Sequence, residues 1–446
     1  MHRDRTPRQL LEQLYRGMIA ALQPELSVRQ ALGTLASGHP AFDSLHLLAI
    51  GKAALAMTRA TQRWCDDHGV TIAGGIVVSH TASREDAGRI RNLTGDHPVP
   101  AERSSVASAQ LGLYIDERIA PGDRVIVLLS GGASSLIGAP RHGIDATAFR
   151  AGIAALLGAG LTIDDMNAVR RRLSRWGGGK LGAALTDRGA RVDVLVISDV
   201  MGDDLASIGS GPCVPDHTDA AALSDVLQRA TISDDVRARL RGMLGIAIAQ
   251  DAAHATRAIA LIPHHIIGSN RVACDKVLRL ARDEGAYAIA GAQTLAGDAH
   301  ACGTIVGREL LSLRQRYANT AEPIVMCWGG EPTVTVHSGA PAGGRMQALA
   351  LAAAKVLHDA GAAGRAISIL AAGTDGRDGP TDAAGAIVDE STWHAITMTG
   401  RDPETALMEL RSSDALRAVN ALLPAFASGT NVNDVVLGFV CASDLG

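Results

Sequence analysis

The chain has 446 residues, of which 47% are hydrophobic and 20% are charged, and its formal net charge is −4. A chain of this length is expected to form roughly two or three domains, with a core large enough to need neither disulfides nor a structural metal. The near balance of charges argues against a sequence-independent nucleic-acid binder, which needs clustered lysine and arginine, and the apolar content excludes disorder on a large scale. Because only 3% of the residues are aromatic, we expect no stacking platform for bases or sugars.

The first predicted element is an amphipathic helix near the start of the chain. Thr6 is the expected N-cap, Pro7 the first helical residue, and Gln9 the third member of a capping box. No continuous apolar segment of the kind found in signal peptides follows, and no run of about 20 apolar residues occurs in the sequence. The six cysteines are scattered with no CxxC pair, which is typical of reduced and buried thiols. We therefore expect a cytoplasmic protein with no membrane partner.

Short apolar runs, each followed by a glycine-rich turn and a helical pattern, recur along the chain. They predict an α/β fold whose parallel or mostly parallel sheets are covered by helices on both sides. In sheets of this kind, ligands bind where the carboxyl ends of the strands open into loops. The predicted strands are Leu45–Ile50, Gly75–Val78, Val125–Leu129, Val192–Ile197, Ile324–Cys327, Ala366–Leu370 and Val435–Val440.

A charged helical stretch with few turn signals runs from about Asp219 to Ala260. We interpret it as a connector between two α/β domains, the first spanning residues 1–250 and the second residues 251–446. A cleft between two such domains is the usual place for a small-molecule site.

The turn SGGASS follows the predicted strand Val125–Leu129. Its two glycines allow successive backbone N–H groups to converge, and its serines add hydroxyl donors, which suits a phosphate or a carboxylate. An ordinary tight turn between a strand and a helix is the alternative. The candidate anion-binding residues are Ser130, Gly131, Gly132, Ala133, Ser134 and Ser135.

Two lysines in glycine-containing turns have different sequence surroundings. Lys52 follows a predicted strand and starts a helical pattern, so it is a candidate for neutralising a phosphate, with a solvated lysine as the alternative. Lys180, in WGGGKLG, has no apolar strand before it and no Ser or Thr after it, so it does not complete a P-loop.

The segment Gly209–Val214 contains Pro212 and does not complete the dinucleotide-binding pattern GxGxxG. The common P-loop and the common dinucleotide fingerprint are therefore both missing, which weakens a hydride-transfer function without excluding it.

Carboxylates follow the predicted strand Val192–Ile197 in the segment ISDVMGDD. Asp199, Asp203 and Asp204 are candidates for holding Mg²⁺ or accepting a proton. Helix capping is the alternative for Asp203 and Asp204, whereas for Asp199 a site role and a packing role are equally compatible with the sequence.

The segment Gly373–Gly385, GTDGRDGPTDAAG, holds three aspartates, one arginine and several glycines after an apolar strand. So dense a set of charges and flexible positions favours a binding loop, and the segment does not have the EF-hand ligand pattern. Arg345 follows paired glycines before a strong helical pattern, where a guanidinium suits bidentate capture of a carboxylate or a phosphate. Glu331 and Asn270 lie in turns, and for each a site role and a packing role are equally compatible with the sequence.

Taken in order, the segments SGGASSL, GGGKL, ISDV-GDD, GSGP, GGEPTVTV, GGR-Q, AAGTDGRDGPTDAAGA and TNVNDVVLGF resemble the glycerate 2-kinase family. These are the class II glycerate kinases, whose C-terminal half is called the MOFRL domain. The resemblance covers about residues 10–440. It implies two α/β domains, the first Rossmann-like, with the active site in the cleft between them. It also implies ATP-dependent and Mg²⁺-dependent phosphorylation of D-glycerate at its 2-hydroxyl.

Some details of the resemblance leave alternatives open. Some family members have been labelled hydroxypyruvate reductases, so an NAD(P)H-dependent reductase is the second hypothesis, and a non-catalytic anion sensor is the third. The chain has Met201, Met346 and Ala348 where the family has Pro, Asn and Glu. The expected partners are D-glycerate and ATP, with no nucleic acid and no membrane, and the sequence leaves open whether the protein is a homo-oligomer.

The resemblance places functional positions of the family at Lys52, Arg345, Asp375 and the SGGASS loop, and from the chemistry of the candidate residues we hypothesise the following roles. The SGGASS loop, Lys180 and Asn270 would bind nucleotide phosphates. Lys52 and Arg345 would flank the transferred phosphoryl group or the glycerate carboxylate, and Asp375 would orient and deprotonate the 2-hydroxyl. The candidate Mg²⁺ ligands are Asp199, Asp204 and Glu331.

Overall fold

The computed structural model describes residues 5–38, 43–82, 88–254, 261–318, 320, 322–335 and 343–441. Within them the helices are α1 Pro7–Ala21, α2 Pro24–Ser37, α3 Ala54–His68, α4 Glu102–Arg118, α5 Ala133–Leu136, α6 Ala146–Leu157, α7 Ile163–Leu173, α8 Lys180–Asp187, α9 Ala220–Arg229, α10 Asp234–His254, α11 Asn270–Asp283, α12 Ala299–Arg316, α13 Arg345–Asp359, α14 Thr392–Met398, α15 Pro403–Met408 and α16 Ser412–Ala418. The strands are β1 Ser44–Ile50, β2 Thr71–Ser79, β3 Ile90–Thr94, β4 Arg124–Ser130, β5 Arg191–Ile197, β6 His264–Gly268, β7 Tyr287–Ala290, β8 Leu295–Asp298, β9 Ile324–Thr333, β10 Ile367–Gly373, β11 Ala383–Asp389, β12 Leu422–Pro424 and β13 Asp434–Val440. Among these helices, none has both the length and the apolar character needed to cross a membrane.

The chain forms two compact units. The central unit is Pro24–Ile267, and the terminal unit combines Met1–Gln23 with Gly268–Gly446. This division differs from the predicted ranges, 1–250 and 251–446, most clearly at the start of the chain. The reason is that α1 packs on α11 and β10 of the terminal unit.

The capping box predicted at the start of α1 is confirmed. Thr6 Oγ1 accepts a hydrogen bond from the Gln9 N–H at 3.3 Å, and Gln9 Oε1 accepts one from the Thr6 N–H at 2.9 Å. On the buried face of the helix, which includes Leu14, the Tyr15 hydroxyl donates to the carbonyl oxygen of Gly373 at 2.6 Å. Helix α1 is therefore tied to the end of β10, where the aspartate-rich loop begins.

The central unit is built on a six-stranded sheet with the order β3-β2-β1-β4-β5-β6. Strands β3, β2, β1, β4 and β5 pair in parallel, which confirms the Rossmann-like sheet predicted for the N-terminal domain. β1, β4 and β5 are buried along nearly their whole length, as expected of strands covered by helices on both faces. Because β1, β4 and β5 are neighbours, the loops after Ile50, Ser130 and Ile197 leave the same edge side by side.

Helices α9 and α10, which lie in the stretch interpreted as a connector, pack against α6 and α7. Their apolar side chains share one core, in which Phe149, Val169, Leu227 and Leu240 are almost fully buried. The stretch is helical as predicted, but its described part belongs to the central unit because it closes this core.

The terminal unit contains a second sheet with the order β12-β11-β10-β13-β9-β7, and β8 pairs with β9. β10 is antiparallel to β11 and β13, and β13 is antiparallel to β9, whereas β7 and β8 run parallel to β9. The expectation of a mostly parallel sheet is therefore wrong for this unit. Residues 374–382, which link β10 to β11, are too few for the crossover of about a dozen residues that a parallel pair requires.

Antiparallel pairing brings acidic loops from distant parts of the sequence to one edge of the terminal sheet. Asp434, at the start of β13, lies opposite Gly373 at the end of β10 and opposite Gly330 in β9. The loop after Gly373 therefore begins beside Asp434, and Glu331 follows Gly330 at the same edge.

Candidate active site

The turns after β1 and β4 are joined at the carboxyl edge of the central sheet. The Lys52 N–H donates to the carbonyl oxygen of Gly131 at 3.0 Å. The Ala53 N–H donates to Ser130 Oγ at 3.0 Å, and the Lys52 side chain is exposed. The structure thus joins two motifs that the sequence analysis selected separately.

The two glycines of SGGASS allow three side chains to approach the turn. A Cβ atom on Gly131 would overlap the carboxylate of Asp199. A Cβ atom on Gly132, whose φ is 84°, would lie 3.4 Å from Lys52 Cε and 3.0 Å from His97 Cδ2. The side chains of Lys52, Asp199 and His97 therefore lie against two positions of the turn where the backbone carries no side chain.

His97, which the sequence analysis did not select, has cationic surroundings. Its pKa is lowered by burial first, and then by the charges of Lys52, His80 and Arg170. The imidazole is therefore neutral near pH 7, while Lys52 and Arg170 keep a positive field that favours an anion.

Sequence reasoning also missed Arg170, on α7. Its mostly buried guanidinium donates from Nη2 to Ser134 Oγ at 2.8 Å and to Ser135 Oγ at 3.2 Å. Arg171 and Arg172, the next residues on the helix, instead form ion pairs. Basic residues in the last turn of a helix are stabilised by the helix dipole, and α7 has three arginines there. This common explanation applies to all three, so the sequence did not distinguish Arg170 from its neighbours.

Two further glycine turns of the central unit pack against each other. Gly209, Ser210 and Gly211 have successive left-handed φ values of 59°, 60° and 56°. The Gly178 N–H donates to the Ser210 carbonyl at 2.9 Å, and the Gly179 N–H donates to the Gly211 carbonyl at 2.8 Å. The GGGK and GSGP motifs are therefore in direct contact.

Lys180 directs its ammonium group to backbone carbonyls. Its Nζ donates to the carbonyl oxygens of Arg171 and Gly177, at 2.7 Å each. Burial lowers the pKa of Lys180 to about 7, and the charges of Arg141 and Asp251 act in opposite directions. In the structure these hydrogen bonds use the ammonium group to hold the GGGK turn. A phosphate-binding role of Lys180 therefore stays a prediction.

We expect Lys180→Met to change the pH dependence of stability. A lysine with a folded pKa of about 7 stabilises the fold above its unfolded pKa of 10.5, and that stabilisation is lost as the pH falls towards 7. Between about pH 7 and 9.5, the free energy of unfolding of the wild type should therefore rise by roughly 2 kcal/mol relative to Lys180→Met in urea titrations. Lys355→Met, which removes an exposed ion pair, is the control. Parallel pH profiles for the wild type and Lys180→Met would contradict the prediction.

The predicted Mg²⁺ ligands of the central unit differ in their surroundings. In the described parts of the chain, no group of three or more His, Cys, Asp or Glu side chains is arranged to hold a metal ion. Asp204 serves its own turn, since its oxygens accept from the Ala206 N–H at 3.2 Å and the Ser207 hydroxyl at 2.6 Å, in keeping with the capping alternative. Asp199 lies against Gly131. A Mg²⁺ ion can bind through one or two carboxylates and complete its shell with phosphate and water oxygens, and the assignment of Asp199 and Asp204 as its ligands stays a prediction.

Arg345, the first residue of α13, contacts two carboxylates at the edge of the terminal sheet. Its Nε lies 2.7 Å from Asp434 Oδ2, and its Nη1 lies 3.3 Å from Glu331 Oε1. Burial alone would lower the pKa of Arg345, but Asp434 and Glu331 raise it above its usual value. Burial raises the pKa of Asp434 to about 7, although Arg345 opposes that change. Glu331, a predicted Mg²⁺ ligand, is thus engaged with a guanidinium.

Asp378 caps α13. Its Oδ1 accepts from the Met346 N–H at 3.1 Å and its Oδ2 from the Gln347 N–H at 2.8 Å, while burial raises its pKa. Met346 and Ala348, two of the departures from the family pattern, are buried in the apolar core of the terminal unit. An apolar side chain at either position therefore contributes to packing.

Asp375 lies in the turn directly after β10. It is exposed, and its Oδ1 accepts from the Arg377 N–H at 2.9 Å. Burial, and then the charge of Asp375, raise the pKa of Tyr15, and Asp434 adds to the same effect. The structure therefore brings Asp375 and Asp434 to the same side of the terminal unit, where Tyr15 bonds the end of β10.

Asn270 fixes the backbone beside Asp434. It is buried, and its Nδ2 donates to the carbonyl oxygens of Val432 and Asp434, at 2.9 Å each. Both amide hydrogens are therefore used within the terminal unit, and a nucleotide contact of Asn270 stays a prediction.

Two protein-family models match the chain. The model described as a domain of unknown function, DUF4147, covers residues 10–245, and the MOFRL family model covers residues 324–434. The first model alone spans more than half of the chain. The fold and the site loops thus belong to a protein of the DUF4147–MOFRL class.

The chain is also similar to proteins named as glycerate kinases. It is 33% identical over 404 residues to the glycerate 2-kinase of Pyrococcus horikoshii, which covers 89% of this chain and 87% of that protein. It is 33% identical over 436 residues to the D-glycerate 2-kinase of Thermotoga maritima, with coverages of 97% and 98%. The crystal structure of glycerate kinase from Thermotoga maritima matches with a TM-score of 0.83 at 31% identity, over 97% of this chain and 99% of that one. The chain therefore belongs to the glycerate 2-kinase family of enzymes.

Two of the relatives have a different name. A putative hydroxypyruvate reductase of Agrobacterium vitis is 33% identical over 433 residues, which are 97% of this chain and 94% of that protein. The reductase reaction is therefore the competing activity that an assay must separate from phosphoryl transfer.

Proposed function

We propose that the protein transfers a phosphoryl group from ATP to the 2-hydroxyl of D-glycerate, giving 2-phosphoglycerate and ADP. One observation carries the proposal: the Gly131–Gly132 turn, at the carboxyl edge of a parallel sheet, meets Lys52 and Asp199. Phosphoryl transfer depends on positioning and on neutralising negative charge, and this arrangement offers backbone donors, a cation and a metal ligand. The names of the relatives support the same reaction.

In the central unit, the SGGASS loop would hold phosphate oxygens with its backbone N–H groups. Lys52, at the open face of Gly132, would offset the charge that develops on the transferred group. Asp199 would hold Mg²⁺, whose charge would offset that of the phosphate oxygens. His97 is neutral near pH 7 because burial and nearby cations lower its pKa, so it adds no charge that would compete with Lys52 for the anion.

In the terminal unit, Arg345 would bind an oxyanion, because part of its guanidinium is exposed beside its two carboxylate partners. Removal of the hydroxyl proton needs a base, and the sequence assigns that role to Asp375. Asp434 is a second candidate, since its pKa of about 7 matches the working pH of a general base. The convergence of Lys52 with Arg345 and Asp375 stays a prediction.

The reaction is tested with purified protein, ATP, Mg²⁺ and D-glycerate. Coupling to enolase and pyruvate kinase detects 2-phosphoglycerate, because enolase does not use 3-phosphoglycerate. A signal without added phosphoglycerate mutase supports transfer to the 2-hydroxyl, and a signal that needs the mutase assigns the 3-hydroxyl. NADH or NADPH oxidation with hydroxypyruvate, in the absence of phosphoryl transfer, would support the reductase instead.

The role of Asp375 is tested by comparing Asp375→Asn with Asp434→Asn. If Asp375 is the base, Asp375→Asn should lower kcat by about 10²–10⁴-fold, with the KM for ATP within about threefold of the wild-type value. Unchanged kcat in Asp375→Asn would remove this residue from the mechanism. Asp434 would then be the base if Asp434→Asn lowers kcat and abolishes the rise of kcat with pH near 7.

A further inference from the structure

Arg170 carries a charge that no carboxylate offsets within the residues described. Its hydrogen bonds there go to hydroxyl groups, from Nη2 to Ser134 Oγ at 2.8 Å and to Ser135 Oγ at 3.2 Å. A guanidinium has five N–H donors, so Arg170 has donors left for another acceptor. Because a buried charge is costly unless it is paired, the mostly buried Arg170 is suited to an anionic ligand.

Ser210 supplies a second polar group that lacks a partner in the described structure. Its side chain is 2% exposed, and its Oγ makes no hydrogen bond. Its backbone has a φ of 60°, a left-handed conformation that costs free energy for any residue with a side chain. A glycine at this position would avoid the strain. What a serine offers here that a glycine does not is its hydroxyl group.

Arg170 and Ser210 line one cavity. Ser134 and Ser174 also line it, and apolar residues that include Phe149 complete its walls. The cavity volume is about 20 Å³, which is room for one or two water-sized atoms. The two oxygens of a carboxylate match this size.

The geometry points to a carboxylate site: Arg170 and Ser210 bind the carboxylate of the hydroxy-acid substrate. A planar guanidinium pairs with a carboxylate through two parallel N–H···O bonds, and the Ser210 hydroxyl adds another donor. The inference rests on the proposed function, because it names the anchor for D-glycerate in that reaction. Lys52, at the Gly132 part of the same loop, remains for the phosphoryl group.

The site is tested by calorimetric titration with D-glycerate and with inorganic phosphate, and by steady-state kinetics. Arg170→Met should weaken D-glycerate binding by about 10–100-fold and Ser210→Ala by about fivefold, while the KM for ATP stays within about twofold of the wild-type value. The control is Arg229→Met, which removes an exposed guanidinium that forms an ion pair with Asp165 at 3.0 Å and does not line the cavity. This control should bind D-glycerate as the wild type does.

Unchanged D-glycerate affinity in both site variants would overturn the carboxylate assignment. A raised KM for ATP, or a loss of phosphate binding in place of the D-glycerate effect, would also overturn it, because either result puts a phosphate at Arg170. If circular dichroism shows that Arg170→Met does not fold, Ser210→Ala decides by itself. D-glycerate binding without turnover in the wild type would refute the proposed function alone, and the affinity comparison would still test the site. Failure of the wild type to bind D-glycerate would overturn both.

Discussion

Replacing Lys52 by alanine should lower kcat for D-glycerate phosphorylation by about 10²–10⁴-fold. The ammonium group lies beside the Gly132 turn, which has no side chain to separate it from a bound anion. The loose transition state of phosphoryl transfer spreads negative charge over the phosphoryl oxygens, and loss of one group that stabilises such charge has an effect of this size. The KM for ATP should change less than kcat, because the charge is needed most in the transition state.

Arg63→Ala is the matched control for Lys52→Ala. Arg63 lies on α3, the helix that follows Lys52, and its guanidinium is 60% exposed and 3.2 Å from Glu25. An exposed ion pair of this kind contributes about 0–1 kcal/mol to the free energy of unfolding, so Arg63→Ala should stay folded. Its initial rate at saturating ATP and Mg²⁺ should therefore stay within about twofold of the wild-type rate. Turnover of D-glycerate by Lys52→Ala within about threefold of wild type would contradict the assigned role.

Replacing Arg345 by alanine should lower kcat by about 10²–10⁴-fold and weaken the fold in a pH-dependent way. Without the guanidinium, Asp434 is a buried carboxyl group without its counter-charge, so its pKa should rise further above about 7. A carboxyl group with a raised folded pKa stabilises the fold below its unfolded pKa of 3.8, and this stabilisation is lost as the pH rises through the folded value. The substitution should therefore cost most above pH 7, where wild-type Asp434 is ionised.

Urea unfolding at pH 5 and pH 8 measures this difference. The destabilisation by Arg345→Ala should be larger at pH 8 by about 1 kcal/mol, because pH 8 lies only one unit above the wild-type Asp434 pKa of about 7 and each unit corresponds to about 1.4 kcal/mol. Asp434→Asn in the Arg345→Ala background removes the buried charge, so the double variant should recover stability at pH 8 but not activity. Equal destabilisation at both pH values would show that Arg345 does not stabilise the ionised form of Asp434.

The central sheet and its loops could be predicted because their signals are local. An apolar run such as Val125–Leu129, followed by a glycine turn and a helical pattern, identifies β4 and the start of its loop. Parallel neighbours open their loops at one edge, so the contact between the Lys52 and Gly131 turns follows from the strand order. The sequence could therefore indicate which residues of this edge lie close together.

The terminal sheet and several site residues could not be predicted in the same way. A strand buried on both faces has the same apolar pattern in either direction, so only the short link after β10 carried information about its antiparallel pairing. Arg170, Ser210 and Asp434 owe their properties to burial and to residues far away in the sequence. Asp378 shows the same limit, because a carboxylate in an apparent binding loop instead caps a helix that starts at Arg345.

The division of the terminal unit between Met1–Gln23 and Gly268–Gly446 affects how the chain can be made and dissected. During translation α1 leaves the ribosome first, whereas its partners α11 and β10 follow only after the whole central unit has been synthesised. The apolar face of α1 therefore stays unpacked until α11 and β10 have been synthesised, whereas the central unit can form its own core before then. If the chain were divided only near residue 267, Tyr15 and Gly373 would lie on different fragments, so an independent terminal unit must include both residues 1–23 and residues 268–446.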